Sequence, residues 1–139
     1  DLGKSITAKL PKEKYIYECR KGLVGKSDKL VFKFSNAPFR CFALFDREQQ
    51  PPVVTAPAQV AKGARALLKI SGPANPRERA YRITVTAPDG REILHRSKTI
   101  YGKTEYPLDF AFNDLPGAYR ITIEDAATGL NTQHEIEVK

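Results

Sequence analysis

The 139-residue chain has no methionine, no tryptophan, two cysteines and two histidines. Nor does it hold an apolar run near the roughly 20 residues a membrane-crossing helix needs, so no membrane span is expected. Two cysteines are too few for a disulfide-dense miniprotein. Cys19 and Cys41, with His95 and His134 far off in sequence, match no zinc-ligand spacing. Translation starts with methionine, so its absence leads us to expect a processed product or one piece of a longer polypeptide, with sorting signals missing. What is present is ordinary for a folded protein. Hydrophobic residues make up 41% and charged residues 28%, which argues against whole-chain disorder and against collagen. The length suits one medium domain or two small ones.

Acidic residues are in deficit. Lys and Arg total 23 against 16 Asp and Glu, a net charge of +7, and residues 1–49 hold 11 basic against 6 acidic side chains. The early excess sits in Lys4, Lys9, Lys12, Lys14, Arg20, Lys21, Lys26, Lys29 and Lys33. One reading is a patch for phosphate or anionic polysaccharide. The other is that lysines coat the wet faces and edges of strands and discourage edge-to-edge aggregation. The basic residues follow no nucleic-acid motif, so no nucleic-acid partner is expected. Cys19 and Cys41 also have two readings: one disulfide if the protein is exported, or two small buried hydrophobes.

Short segments rich in Val, Ile, Thr, Tyr and Phe, punctuated by Gly, Pro, Asn and Asp, predict an all-β chain. In residues 1–45, strands are expected near Ser5–Leu10, Lys14–Arg20, Leu23–Lys26, Lys29–Ser35 and Phe39–Phe45. The last has apolar residues in both phases and is expected to be covered on both faces. Gly22-Leu-Val-Gly25 reads as a hairpin turn. Together these strands form a short antiparallel segment, part of a larger sheet or one completed by a neighbour. Residues 46–52 (DREQQPP) read as an extended, Pro-rich linker.

Residues 53–139 predict seven strands, near Val53–Ala56, Ala64–Ile70, Ala80–Ala87, Glu92–Thr99, Tyr106–Phe112, Ala118–Glu124 and Thr132–Val138. Pro88-Asp-Gly90, Asn113–Gly117 and Asp125–Gly129 mark turns. Two segments are near copies, AYRITV at Ala80–Val85 and AYRITI at Ala118–Ile123, and are expected as neighbours in one sheet with Tyr and Ile inward. Tyr119 follows the Asp114-Leu-Pro-Gly117 corner. That is the place of a tyrosine corner in an immunoglobulin-like β-sandwich, so Asp114, Gly117 and Tyr119 are given structural roles.

Chemistry is sparse. There is no phosphate-binding glycine loop, GxSxG elbow or HExxH motif. His95 and His134 read as rim residues. Asp114 and Asp125 lie in turns, Asp109 and Glu124 in outward strand positions, and none has the apolar context that raises a catalytic carboxyl. The turn acids fit no calcium loop. No catalytic residue, metal site or cofactor is expected. The weak ligand-binding candidates are Tyr101, Lys103 and Tyr106, around a Gly-Lys-Thr turn where two exposed rings would suit a sugar.

The run YIYECRKGLVGKS (Tyr15–Ser27) with Asp28, then FRCFALF (Phe39–Phe45), resembles the closing strands of an accessory β-domain of large bacterial glycoside hydrolases related to β-galactosidases. Tyr17, Arg20, Gly22 or its neighbours, Gly25 and Asp28 fit that pattern, while Cys19, Ser27 and Phe45 depart from it. ITVTAPDGREI (Ile83–Ile93) and DLPGAYRITIEDAATG (Asp114–Gly129) are similar to immunoglobulin-like modules of exported bacterial proteins, the macroglobulin-like and fibronectin-like ones among them. The resemblance implies a non-catalytic accessory module of a larger exported, carbohydrate-active protein, partnered by other domains of its own polypeptide. A polysaccharide- or anionic-polymer-binding module is the alternative, and an adhesin-like interaction domain the third.

Overall fold

A computed structural model describes residues 3–34 and 39–139. The predicted end of a strand at Ser35 lies outside the described residues. Everything described is strand, turn or loop apart from one 3-10 turn at Pro76–Glu78. Two compact units are present: Asp1–Gln49 with Ala127–Gly129, and Gln50–Ala126 with Leu130–Lys139.

The first unit is a three-stranded antiparallel sheet of β1 (Ser5–Glu18), β2 (Gly22–Lys33) and β3 (Phe42–Phe45), in the order β2-β1-β3. Three strands replace the five expected. The first four merge into two long ones because a bulge accommodates what looked like a break. Lys9 pairs with Lys29, and the next pair is Lys14 with Ser27, so Pro11 falls where the ladder is interrupted and its missing N–H breaks no pairing. Gly22 opens β2 and Gly25 lies inside it. The turn is instead Cys19–Lys21, closed by the Lys21 amide on the Glu18 carbonyl at 2.9 Å, with Arg20 at φ 63°. Among the described residues the buried hydrophobics here are Ile16 and Tyr17, consecutive residues facing opposite sides of β1. Two-sided cover of Phe39–Phe45 does not hold: Leu44 is 40% exposed and Phe39 74%.

The second unit is two sheets around one core. One has the order β4-β6-β9, from Val53–Thr55, Arg65–Ser71 and Glu105–Asp109; the other has the order β5-β11-β10-β7-β8, from Gln59–Val60, Asn131–Val138, Gly117–Asp125, Ala80–Thr86 and Lys98–Tyr101. All pairings are antiparallel except β5 with β11. Period-2 patterning builds the core. Ala66, Leu68 and Ile70 face inward from β6, Tyr106 and Leu108 from β9, Tyr81, Ile83 and Val85 from β7, and Tyr119, Ile121 and Ile123 from β10, all joined in one buried cluster. The near-identical strands lie side by side, with Ile83 opposite Ile123.

Two expectations are corrected: β5 at Gln59–Val60 makes eight strands where seven were expected, and one expected strand is mostly absent. Glu92–Thr99 is mostly a turn, and β8 begins only at Lys98. The Ser97 hydroxyl accepts from the Val85 amide and donates to the Ile93 carbonyl, both at 3.0 Å, while the Ser97 and Arg96 amides also donate to Ile93. Local bonds of this kind hold the backbone out of the ladder.

Candidate functional site

The loops at one end of the second unit border a hollow. Residues 87–95, between β7 and β8, and 113–115, between β9 and β10, enclose with Tyr119 of β10 a groove of about 410 Å³. Its walls include Arg91, Glu92, Leu94, His95, Asn113 and Leu115, with Leu94 75% and Leu115 45% exposed. Sequence reading found the two turns but not their convergence, which depends on the sandwich bringing both loops to the same end.

Structural bonds frame this groove. Asp114 accepts the Ala111 amide at 2.7 Å and pairs with Arg96 at 2.8 Å, and the Arg96 guanidinium stacks over Phe110 at 5.6 Å. The Tyr119 hydroxyl donates to the Leu115 carbonyl at 3.0 Å. Burial, then the nearby Asp114 charge, pushes the Tyr119 phenol up, which keeps it protonated as a donor. Gly117 has φ +125°, and a Cβ there would meet Pro88 at 3.2 Å. Tyr119→Phe is expected to destabilise the sandwich by about 1 kcal/mol in urea melts followed by circular dichroism. An unchanged midpoint would mean that the Leu115 bond contributes nothing.

The Tyr101–Tyr106 expectation needs correction. Tyr101 is 73% exposed and Lys103 is exposed beside it, but Tyr106 is only 8% exposed. Tyr106 shares the inward phase of β9 with Leu108, and its hydroxyl donates to the Arg96 carbonyl at 2.5 Å. Adjacent turn chemistry suggested exposure; strand parity decided otherwise. A single exposed ring remains, not a pair.

In the first unit, basic residues gather on one face of the β1–β2 ribbon. Lys9 lies opposite Lys29, Ser5 opposite Lys33 and Thr7 opposite Val31, and all six of these residues are exposed. By strand alternation they share a side, with Ile6, Ala8, Leu30 and Phe32 on the other. Like charges directly across a ladder repel, which an anion lying between them would relieve. Further along, Lys12 and Lys14 both reach Asp46, at 2.8 and 2.6 Å. Their hydrogen bonds lower the Asp46 carboxyl from 3.8 to about 2. Arg40 and Lys21 likewise hold Glu18 below its ordinary value. A carboxyl depressed by folding stabilises above its unfolded pKa, and that stabilisation is lost as pH falls through the folded value. The first unit should therefore weaken between about pH 4 and pH 2. Hydrogen exchange of β1 and β3 amides across that range checks this; protection that stays flat would contradict it.

The cysteines come together. Cys19, half-buried, and Cys41, exposed, place their sulfurs 3.3 Å apart, so the alternative of two buried hydrophobes is set aside. His95 is exposed and His134 half-buried. Among the described residues, no group of three or more His, Cys, Asp or Glu side chains is arranged to hold a metal ion, and no helix is long and apolar enough to cross a membrane.

Compared with protein-family models and with curated proteins, the chain matches none.

Proposed function

We propose that this chain is a non-catalytic accessory module of a larger exported bacterial protein that acts on carbohydrate, and that the first unit is its contact surface to other domains of the same polypeptide. The observation that carries this reading is the unfinished state of the first sheet. It buries Ile16 and Tyr17, yet leaves Ile6, Leu23, Val24, Val31 and Leu44 each at least 40% exposed. Exposed apolar residues on both faces of so small a sheet favour cover by another surface. The second unit supports a scaffold role. Its strands divide into a three-stranded and a five-stranded sheet around one core, with the near-copies β7 and β10 side by side, and this two-sheet arrangement supports the reading of an immunoglobulin-like sandwich. An antibody to this chain, used on extract of its source organism, tests the proposal. A band several times larger than 15.5 kDa is expected, and a band near 15.5 kDa would overturn it.

The lysine face favours a second reading, a surface for an anionic polysaccharide. Affinity electrophoresis should then show retardation by carboxylated or sulfated glycans, lost as salt rises, and none by neutral ones. Equal mobility in every gel would remove this reading.

A further inference from the structure

The β1–β3 ladder runs from Tyr15 opposite Phe45 to Glu18 opposite Phe42, so one further step sets Cys19 opposite Cys41. The backbone confirms that step, because the Cys19 amide donates to the Cys41 carbonyl at 2.9 Å. Opposed residues joined by a ladder bond have Cα atoms about 5.5 Å apart, inside the range a disulfide spans. The sulfurs already stand 3.3 Å apart, and the residues they would link are 22 positions apart in sequence. Cys41 is exposed, so an oxidant has access to it. The unit around them has a use for a staple: with Ile16 and Tyr17 as its buried hydrophobics, its core is far below what holds a domain of this size together unaided.

We propose that Cys19 and Cys41 form an intramolecular disulfide that fastens β3 to β1, made by exchange with a low-molecular-weight or protein disulfide. The exposed Cys41 thiolate attacks one sulfur of the oxidant, forming a mixed disulfide and expelling one oxidant thiol. The Cys19 thiolate then attacks the Cys41 sulfur, forming the Cys19–Cys41 bond and expelling the second oxidant thiol. Two protein thiols lose two protons and two electrons, and the oxidant disulfide gains both. The bond does not depend on what the whole polypeptide does, so it stands or falls apart from the accessory-module reading.

The test equilibrates the full chain in glutathione buffers of graded ratio, quenches with acid, and reads intact mass, peptide map and amide exchange. Expected is a monomer about 2 Da lighter than the reduced chain, with the Cys19 and Cys41 peptides linked and no glutathione retained. Amide exchange in β1 and β3 should be roughly 100-fold slower in the oxidised than in the reduced chain. Cys19→Ser should stop at the mixed disulfide on Cys41 and exchange like the reduced chain. Should that variant fail to fold, the comparison of oxidised with reduced wild type still decides. A chain carrying two glutathiones at equilibrium, a disulfide-linked dimer, or a Cys19–Cys41 bond that leaves exchange unchanged would each overturn the proposal.

Discussion

Asp125→Ala should destabilise the sandwich by about 3–5 kcal/mol, one of the two largest single-residue effects expected in this chain. Asp125 is 3% exposed, at the end of β10, and its carboxylate accepts from Arg79 Nη1 at 3.1 Å. The Arg79 side chain is itself 11% exposed. Truncation removes the carboxylate and leaves the Arg79 guanidinium largely out of water without that counter-charge. The loss is therefore dominated by the charge left behind and not by the attraction removed. Two controls separate these. Replacing both partners, as Arg79→Met with Asp125→Leu, should recover much of the stability, since no buried charge then remains. Asp109→Ala breaks a bidentate pair with Arg65 whose side chains are about two-thirds exposed, and should barely move the urea midpoint. Should Asp125→Ala prove as mild as Asp109→Ala, the interior placement of the Arg79–Asp125 pair would be wrong.

The same contrast explains which parts of the molecule were legible in the sequence. Strand periodicity carried the sandwich. Tyr81, Ile83 and Val85, or Ala66, Leu68 and Ile70, announce an inward phase because side chains alternate along a regular extended backbone. Pro88-Asp-Gly90 announced its turn because Gly90 takes φ +85°, a region other residues avoid. Period-2 reasoning failed where local polar bonds outcompete the ladder, as Ser97 does around Ile93, and where a bulge turns an apparent break at Pro11 into one continuous strand.

The candidate sites were harder because they are made by pairing, which one strand's sequence does not state. Lysines spread along residues 4–33 read as scattered until the β1–β2 register sets Lys9 against Lys29. Cys19 and Cys41 read as two options until β1 and β3 pair antiparallel. Tyr106 is legible after all: its phase with Leu108 and Phe110 places it inward, and strand parity outweighs the neighbouring Gly-Lys-Thr turn.

Leu67→Ala and Leu68→Ala test the alternation on which the whole second unit rests. The two leucines are adjacent on β6 and chemically identical, so any difference between them is a difference of position. Leu68 is fully buried opposite Tyr106, and removing three carbons there should leave a cavity and destabilise by about 2–5 kcal/mol. Leu67 is 37% exposed opposite Pro107, and its truncation should change stability by only about 0.5 kcal/mol. The outward phase it occupies is a solvent face, with Arg65 across from Asp109 and Lys69 across from Glu105, opposite charges at both ends of the β6–β9 pairing. Equal losses at the two positions would require β6 to be covered on both sides. A reversed order would mean β6 one residue out of register, which would carry Ala66, Leu68 and Ile70 to the surface and Arg65 and Lys69 into the core. Urea melts of both variants, read at constant m-value, decide between these arrangements.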